Sequence, residues 1–222
     1  MGKKAIVAGA SGLIGSEILK ILLNDPIYSE VLAIVRTPME LNHPKFNQIA
    51  INFDKLDDFA HLIEGDVIFC TLGSTRKKTP DLAAYRKIDH DYPVKLANIA
   101  VENGINQFHL ISAIGADHNS SNFYTKIKGE TEEDVKSSGV NALIIYRPSL
   151  LTGNRVETRF AEGIMQGLSK IINPLLVGGL RKYRSIAATT VAKVMTDLSK
   201  SDLKGIYVYE SDDIQKLALQ VS

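Results

Sequence analysis

The chain has 222 residues, of which 45% are apolar, so it can bury one substantial core and at most a small appended lobe. Its 26 lysines and arginines nearly balance 25 acidic residues, and this net charge of +1 creates no global field that would attract nucleic acid or an anionic membrane. The single cysteine excludes an internal disulfide, and the five scattered histidines show no metal-ligand spacing, so we expect a cytoplasmic protein without a metal site.

Short apolar runs alternate with longer amphipathic stretches, a pattern typical of a parallel sheet covered by helices on both faces. The runs predict interior strands over residues 4–8, 31–35, 48–53, 67–71, 108–112, 142–146 and 206–209. Apolar residues at helical spacing predict helices over residues 13–23, 93–102, 123–136 and 189–198. With right-handed crossovers, these elements form an α/β fold with a doubly wound parallel sheet.

A glycine loop joins the first predicted strand to the first predicted helix. Gly9, Gly12 and Gly15 stand where a tight turn and the close approach of a phosphate leave no room for side chains. The N-terminus of the following helix attracts anions to the same place. Glycines that only cap a helix can show the same spacing, but here a predicted strand precedes the loop and a predicted helix follows it. We therefore predict that a dinucleotide binds here, as in a Rossmann fold.

The residue after the second predicted strand indicates which dinucleotide binds. NAD-binding folds usually place a carboxylate there, on the ribose 2′-hydroxyl, whereas this chain has Arg36. A guanidinium suits a 2′-phosphate, so we predict that NADP(H) is preferred over NAD(H), with a solvated loop arginine as the alternative. Asp54, just past the third predicted strand, is a candidate for bonding the adenine amino group or for capping a helix that begins near residue 57.

Three further residues suggest acid–base chemistry. Tyr124 and Lys128 are four residues apart in a predicted helix and therefore share one face. We expect the Lys128 charge, together with a positively charged nicotinamide, to lower the pKa of the Tyr124 phenol from about 10. Ser112 ends the fifth predicted strand, at the sheet edge where ligands bind, and its hydroxyl is a candidate to hold a substrate carbonyl. A surface tyrosine and a surface lysine are the alternative, and Cys70, isolated in an apolar run, is expected to be buried and inert.

Together these residues resemble the short-chain dehydrogenase/reductase superfamily, specifically its atypical or extended members, over nearly the whole chain. Residues 70–76, 91–92, 109–117 and 121–124 resemble the oxidoreductase family that includes HIV Tat-interactive protein 2. The resemblance implies that Arg36 holds the 2′-phosphate and that the pyrophosphate lies on Gly9, Ser11, Gly12, Leu13, Ile14 and Gly15. It also implies that Leu72 and Gly73 line the adenosine side, that Lys128 also binds the ribose, and that Pro148 lies beside the nicotinamide.

These observations predict an NADPH-dependent oxidoreductase that reduces a small carbonyl or semialdehyde compound. Hydride passes from the nicotinamide to the carbonyl carbon while Tyr124 protonates the developing alkoxide, Lys128 activates Tyr124 and Ser112 steadies the oxygen. The alternative is an NADPH-binding regulatory or scaffold protein with little or no turnover, because relatives of this kind include cofactor-binding regulators.

Residues from about 152 to 183 do not continue the alternation of strands and helices. Glycines and a proline interrupt this segment, whose middle has a helix-like sequence. We predict one domain over residues 1–222, in which residues 152–183 form a small, mobile, C-terminal lobe on the substrate side. The sequence suggests no function for the basic run Arg76, Lys77 and Lys78. No stretch approaches the roughly 18 apolar residues that span a bilayer, so we expect neither a membrane nor a nucleic-acid partner, and either a monomer or a homodimer.

Overall fold

The computed structural model describes residues 2–153, 176 and 178–220. Its main strands are β1 (Lys3–Ala8), β2 (Tyr28–Val35), β3 (Phe46–Ala50), β4 (Val67–Cys70), β5 (Gln107–Ile111) and β6 (Ala142–Arg147), with β9 (Gly205–Glu210) following later in the chain. They form one parallel sheet in the order β3-β2-β1-β4-β5-β6-β9. Two short strands, β7 (Leu151–Thr152) and β8 (Ile186–Ala187), pair separately.

Helices connect these strands. Within the described ranges they are α1 (Leu13–Asn24), α2 (Leu82–Arg86), α3 (Tyr92–Glu102), α4 (Phe123–Ser137), α5 (Ala188–Leu198) and α6 (Ser211–Gln220). In the part of the chain that the structure describes, 3₁₀ segments span Phe53–Leu62 and Gly178–Tyr183. A π-helical turn, Lys87–Asp91, joins α2 to α3 and turns Asp89 and His90 into the interior. Such turns are rare and occur frequently at functional sites.

Successive residues of the central strand face opposite sides of the sheet and both sides are buried. In β1, Ala5 and Val7 belong to the apolar cluster that contains residues of α1, α5 and α6. Ile6 and Ala8 belong to the second cluster, with residues of the segment Phe53–Leu62, α3 and α4. A strand buried on both faces has no solvent-exposed side that would carry polar residues, which explains why these strands are continuous apolar runs in the sequence. The predicted doubly wound α/β fold is confirmed.

The strand order reverses at the centre of the sheet, where β1 lies between β2 and β4. In open parallel sheets, ligands bind in the crevice outside the carboxyl ends of the strands at such a switch point. The glycine loop follows β1 and the segment 71–73 follows β4. The fold therefore brings both predicted cofactor-binding segments to one crevice.

The structure differs from the sequence prediction at several elements. The third strand ends at Ala50 rather than at residue 53, because the Asn52 side chain accepts a hydrogen bond from the Asp54 N–H (3.0 Å) and so caps the 3₁₀ segment. The α2 helix, the π-helical turn, α6 and the β7–β8 pair are elements that the sequence did not predict. Most of the predicted lobe, residues 154–175 and 177, lies outside the described residues.

Candidate nucleotide-binding and catalytic site

The glycine loop adopts a turn that only glycine accommodates easily. Gly9 has φ +89°, and a Cβ there would lie 2.7 Å from Thr71 Oγ1 and 2.8 Å from the Thr71 carbonyl oxygen. The Gly12 N–H donates to the Gly9 carbonyl (2.8 Å) and closes the turn. A Cβ on Gly15 would lie 2.2 Å from that same carbonyl oxygen, so α1 can pack this close to β1 only with glycine there. The loop thus delivers the start of α1 to the end of β1.

The N-terminus of α1 is suited to an anion. Gly12 caps the helix without a side-chain hydrogen bond, and the first bond within the helix runs from Ser16 N–H to the Gly12 carbonyl (3.0 Å). The N–H groups of Leu13, Ile14 and Gly15 therefore have no acceptor within the helix. No acidic residue stands in the first turn, and among the residues that the structure describes a Cβ on Gly12 would meet only the Gly9 carbonyl oxygen within 4 Å. This cradle of open backbone donors fits a dinucleotide pyrophosphate.

Arg36 directly follows β2 and is exposed at the same edge of the sheet. Its charge acts on the Tyr92 phenol: burial raises the pKa of Tyr92 to about 12, the bond to Asp54 adds to this rise, and the Arg36 charge opposes it. Asp54 itself accepts hydrogen bonds from Lys87 Nζ and Tyr92 Oη, both at 2.9 Å. Asn52, not Asp54, caps the start of the 3₁₀ segment at Phe53, and the hydrogen bonds to the Asp54 carboxylate come from Lys87 and Tyr92 rather than from the N–H groups of a helix that begins near residue 57.

Lys128 is buried and paired with a residue that the sequence did not indicate. Its Nζ lies 2.9 Å from Asp89 Oδ1, and only 6% of the Lys128 side chain and 1% of the Asp89 side chain are exposed. The other Asp89 oxygen accepts from the Ser74 N–H (2.8 Å), and Thr131 Oγ1 donates to the Asp89 carbonyl (2.9 Å). Burial lowers the pKa of Lys128, but the charge of Asp89, its hydrogen bond to Lys128 and the nearby Tyr124 and Cys70 side chains together outweigh burial and raise that pKa above 10.5, so Lys128 is cationic.

Tyr124 stands in the first turn of α4. The Asn122 side chain accepts hydrogen bonds from the N–H groups of Tyr124 (2.9 Å) and Thr125 (3.2 Å), which fixes where the helix begins. About 40% of Tyr124 is exposed, and the burial of the remainder raises the pKa of its phenol above 10; the Lys128 charge opposes this rise, and Asp89 supports it. The expected lowering of this pKa by Lys128 is therefore outweighed in the protein, and Tyr124 is a neutral phenol at pH 7.

Ser112 follows β5 and is buried, but its hydroxyl is engaged elsewhere in the protein. Its Oγ donates to Glu132 Oε1 at 2.5 Å. Glu132, with 1% of its side chain exposed, also accepts from Arg147 Nε (2.9 Å to Oε1) and Nη2 (2.6 Å to Oε2). A serine hydroxyl has one proton to donate. While the Ser112 hydroxyl donates that proton to Glu132, it cannot donate a hydrogen bond to a substrate oxygen.

The remaining predicted residues surround this centre. Gly73 lies beside the buried ion pair, since a Cβ on it would be 3.5 Å from Asp89 Oδ1 and 3.9 Å from Lys128 Nζ. Leu72 packs against the cluster beneath α3. The Pro148 carbonyl accepts from the Ile114 N–H (3.0 Å), which ties together the segments that follow β5 and β6. Burial raises the pKa of Cys70 to about 12, so this thiol is protonated and unreactive at neutral pH.

Two residues of the site, Asp89 and Glu132, were missed. Glu132 continues the spacing of Tyr124 and Lys128 by four more residues along α4, which was a usable signal. Asp89 gave no local signal, because it meets Lys128 only through the π-helical turn. Among the described residues, no group of three histidine, cysteine or carboxylate side chains is arranged to hold a metal ion. None of the described helices is both long enough and apolar enough to cross a bilayer.

Comparison with known proteins agrees with this geometry. The chain is 35% identical over 164 residues to Protein HTATIP2 from Rattus norvegicus, covering 72% of this chain and 67% of that protein. It is 32% identical over 232 residues to Protein FMP52, mitochondrial, from Coccidioides immitis, covering 99% and 93%. The structure of the Bordetella bronchiseptica enzyme WbmH in complex with NAD+ matches with a TM-score of 0.72 at 19% identity, covering 100% of this chain and 81% of that one.

The relatives also correct one expectation. FMP52 proteins from several fungi are named mitochondrial, and this contradicts the cytoplasmic location expected from composition, which is wrong by this comparison. The expectation rested on the single cysteine, which limits disulfides and does not distinguish one reducing compartment from another.

A model of a family described as NAD(P)H-binding matches residues 9–202, which include the glycine loop, Arg36 and the α4 residues Tyr124 and Lys128. The predicted resemblance is thereby confirmed. The chain belongs to the NAD(P)H-binding family, as an atypical short-chain dehydrogenase/reductase of the kind that includes HTATIP2 and FMP52.

Proposed function

We propose that the protein is an NADPH-dependent reductase of small carbonyl compounds, with Tyr124 as the proton donor. The observation that carries this proposal is the placement of Tyr124 and Lys128 along α4, with Lys128 fixed as a cation by Asp89. The glycine loop opens at the carboxyl edge of the same sheet. A hydride donor and a proton donor on one edge can act on one carbonyl group.

The cofactor supplies a hydride from its nicotinamide when it is bound. We assign its pyrophosphate to Gly9, Ser11, Gly12, Leu13, Ile14 and Gly15, and its adenosine side to Asp54, Leu72 and Gly73. Arg36 is assigned to the 2′-phosphate, Lys128 to the nicotinamide ribose and Pro148 to the nicotinamide. The preference for NADPH is supported by the exposed guanidinium at the end of β2, where a carboxylate would repel a phosphate.

The protonation state of Tyr124 favours reduction over oxidation. Because burial keeps its pKa above 10, the phenol carries its proton at neutral pH and can donate it to the oxygen of a carbonyl that receives hydride. Lys128, held cationic by Asp89, stabilises the phenolate that this transfer leaves behind.

The second candidate function is an NADPH-binding regulator with little turnover. It is favoured by the commitment of the Ser112 proton to Glu132, which deprives the site of the hydroxyl expected to steady a substrate oxygen. We therefore give Ser112 a weaker role in the reductase: it acts on substrate only when its hydroxyl turns away from Glu132.

Calorimetric titration with NADPH and NADH, followed by a screen of the NADPH-loaded protein against aldehydes, ketones and quinones, tests the proposal. Tight NADPH binding with loss of the reduced-nicotinamide absorbance is the expected result. Binding without turnover across the panel would favour the regulator, and failure to bind either nucleotide would refute both functions.

Changing Arg36→Ala should weaken NADPH binding by about ten- to a hundredfold, the range expected for lost hydrogen bonds to a charged group. NADH lacks the 2′-phosphate, so its dissociation constant should stay within about twofold. Calorimetry on both nucleotides measures this, with Lys55→Ala, an exposed cation on the neighbouring 3₁₀ segment, as the control. Equal losses for both nucleotides would contradict the assigned contact.

Changing Ser112→Ala should lower kcat by about tenfold or less, the worth of a single ordinary hydrogen bond, because the hydroxyl is engaged with Glu132. Glu132 keeps both bonds to Arg147 in this variant, so folding should persist. Steady-state kinetics at saturating NADPH measures the effect. A loss of roughly a hundredfold or more, as for a missing oxyanion donor, would show instead that the hydroxyl turns to the substrate.

A further inference from the structure

We propose that the substrate of this site carries a carboxylate, and that Arg76 binds it. This inference rests on the proposed reductase function and specifies its substrate class. Arg76 belongs to the basic loop, which we define as residues 74–80 between β4 and α2. The sequence alone gave this loop no role.

The first step is the position of the guanidinium. Arg76 Cζ lies 5.5 Å from the centre of the Phe123 ring, and Phe123 immediately precedes Tyr124 at the start of α4. The cation therefore stands over the residue next to the proposed proton donor. A guanidinium stacked on an aromatic face keeps its N–H edge free for a planar anion.

The second step is the support beneath it. The Phe123 ring contacts the buried Tyr85 ring at 5.7 Å between centroids, and Tyr85 Oη donates to the Ser74 carbonyl (3.2 Å). The Ser74 N–H donates in turn to Asp89, the partner of Lys128. The basic loop is thus attached to the same ion pair that positions Lys128.

The third step is the charge. The basic loop contains Arg76, Lys77 and Lys78 and no acidic residue. No carboxylate among the described residues lies within ion-pair distance of Arg76. The nearby acids are occupied, since Asp81 caps α2 through the Ala84 N–H (2.7 Å) and Asp89 holds Lys128.

The guanidinium also acts on the interior of the site. Burial raises the pKa of Tyr85; Asp89 and Tyr124 add to this rise, and the Arg76 charge opposes it. Arg76 and Tyr124 therefore both lie within electrostatic reach of one phenol. A carbonyl compound with its reacting carbon at Tyr124 would place a carboxylate a few bonds away on Arg76, in a charge-assisted, bidentate contact.

The test compares carbonyl compounds of matched length with and without a terminal carboxylate, for example 4-oxobutanoate and butanal. Wild-type protein loaded with NADPH should prefer the carboxylate member. Arg76→Gln should raise its KM by about ten- to a hundredfold and leave the KM of the neutral member and the Kd of NADPH within about twofold. Lys77→Gln, the adjacent cation, is the matched control and should change the KM little.

Several outcomes would overturn the inference. Equal loss for neutral and anionic members would mean that Arg76 only supports the Phe123 ring. A raised Kd for NADPH in Arg76→Gln would mean that Arg76 binds a phosphate of the cofactor. An equal effect of Lys77→Gln would mean that the overall positive charge of the basic loop, rather than Arg76 itself, attracts the carboxylate. Calorimetric binding of each carbonyl compound to protein loaded with NADP+, which has no hydride to transfer, gives a readout without turnover, so absence of catalysis would count against the reductase, and absence of a carboxylate preference would count against Arg76.

Discussion

Replacing Asp89 with alanine is expected to lower the free energy of unfolding by about 3–5 kcal/mol, the usual cost of leaving one partner of a buried ion pair uncompensated. The Asp89 and Lys128 side chains are only 1% and 6% exposed, so water cannot replace the lost carboxylate. The variant also removes the acceptor of the Ser74 N–H. Urea unfolding followed by circular dichroism gives the midpoint and slope from which the change is calculated.

The matched control removes both charges. A double variant, Asp89→Leu with Lys128→Met, buries no ion and should recover most of the lost stability, because apolar replacement of a buried pair is often neutral or favourable. Since the folded pKa of Lys128 is raised above 10.5, the contribution of the pair is full below that pH and is lost as pH rises through the folded value. A change below about 1 kcal/mol in the single variant would mean that the pair is solvated.

Changing Tyr124→Phe is expected to reduce turnover by about 10²–10⁴-fold, the contribution of a positioned general acid. The ring remains and only the proton donor is lost, while the glycine loop is untouched, so the Kd of NADPH should stay within about twofold. Single-turnover oxidation of bound NADPH by a responsive carbonyl compound separates the chemical step from binding.

The control for Tyr124 is Tyr207→Phe, a phenol that stacks on Tyr209 in β9. The pH dependence gives a second readout: because burial raises the pKa of Tyr124 above 10, the reduction rate should be flat through neutral pH and fall as pH rises through that pKa. Unchanged turnover in Tyr124→Phe would remove this residue from the mechanism and leave the cofactor-binding regulator as the better description.

The fold was predictable because it depends on local signals. Strands buried on both faces must be continuously apolar, and runs such as residues 67–71 therefore marked β4 (Val67–Cys70) within one residue. The glycine loop was equally readable, since its turn at Gly9 and its close packing at Gly15 exclude side chains. By contrast, β7 and β8 are too short to produce a pattern, and α2 has only five residues before the π-helical turn.

The site was predictable only in part, because its charges are completed by distant contacts. Tyr124 and Lys128 share a helix face, which spacing alone reveals. Asp89 comes from another element, and Glu132 lies in an acidic run that resembles a solvated surface. Asp89 keeps Lys128 ionised and Glu132 accepts the Ser112 proton; the spacing along α4 points to Glu132, but the sequence around Asp89 does not report its pairing with Lys128.

The spacing of Tyr124, Lys128 and Glu132 along α4 has a consequence for how this protein can diverge. A shift of one residue in the helix would turn all three side chains by about 100° together, so their relative arrangement is inherited as a unit. The basic loop lies on a separate segment whose ends are fixed by Ser74 and Asp81. Between these two anchors, insertions and substitutions are tolerated more readily than in a helix. If α4 carries the proposed proton chemistry and the basic loop the proposed substrate contact, duplicated copies of this gene can therefore acquire new specificities by changing the loop while the chemistry on α4 is retained.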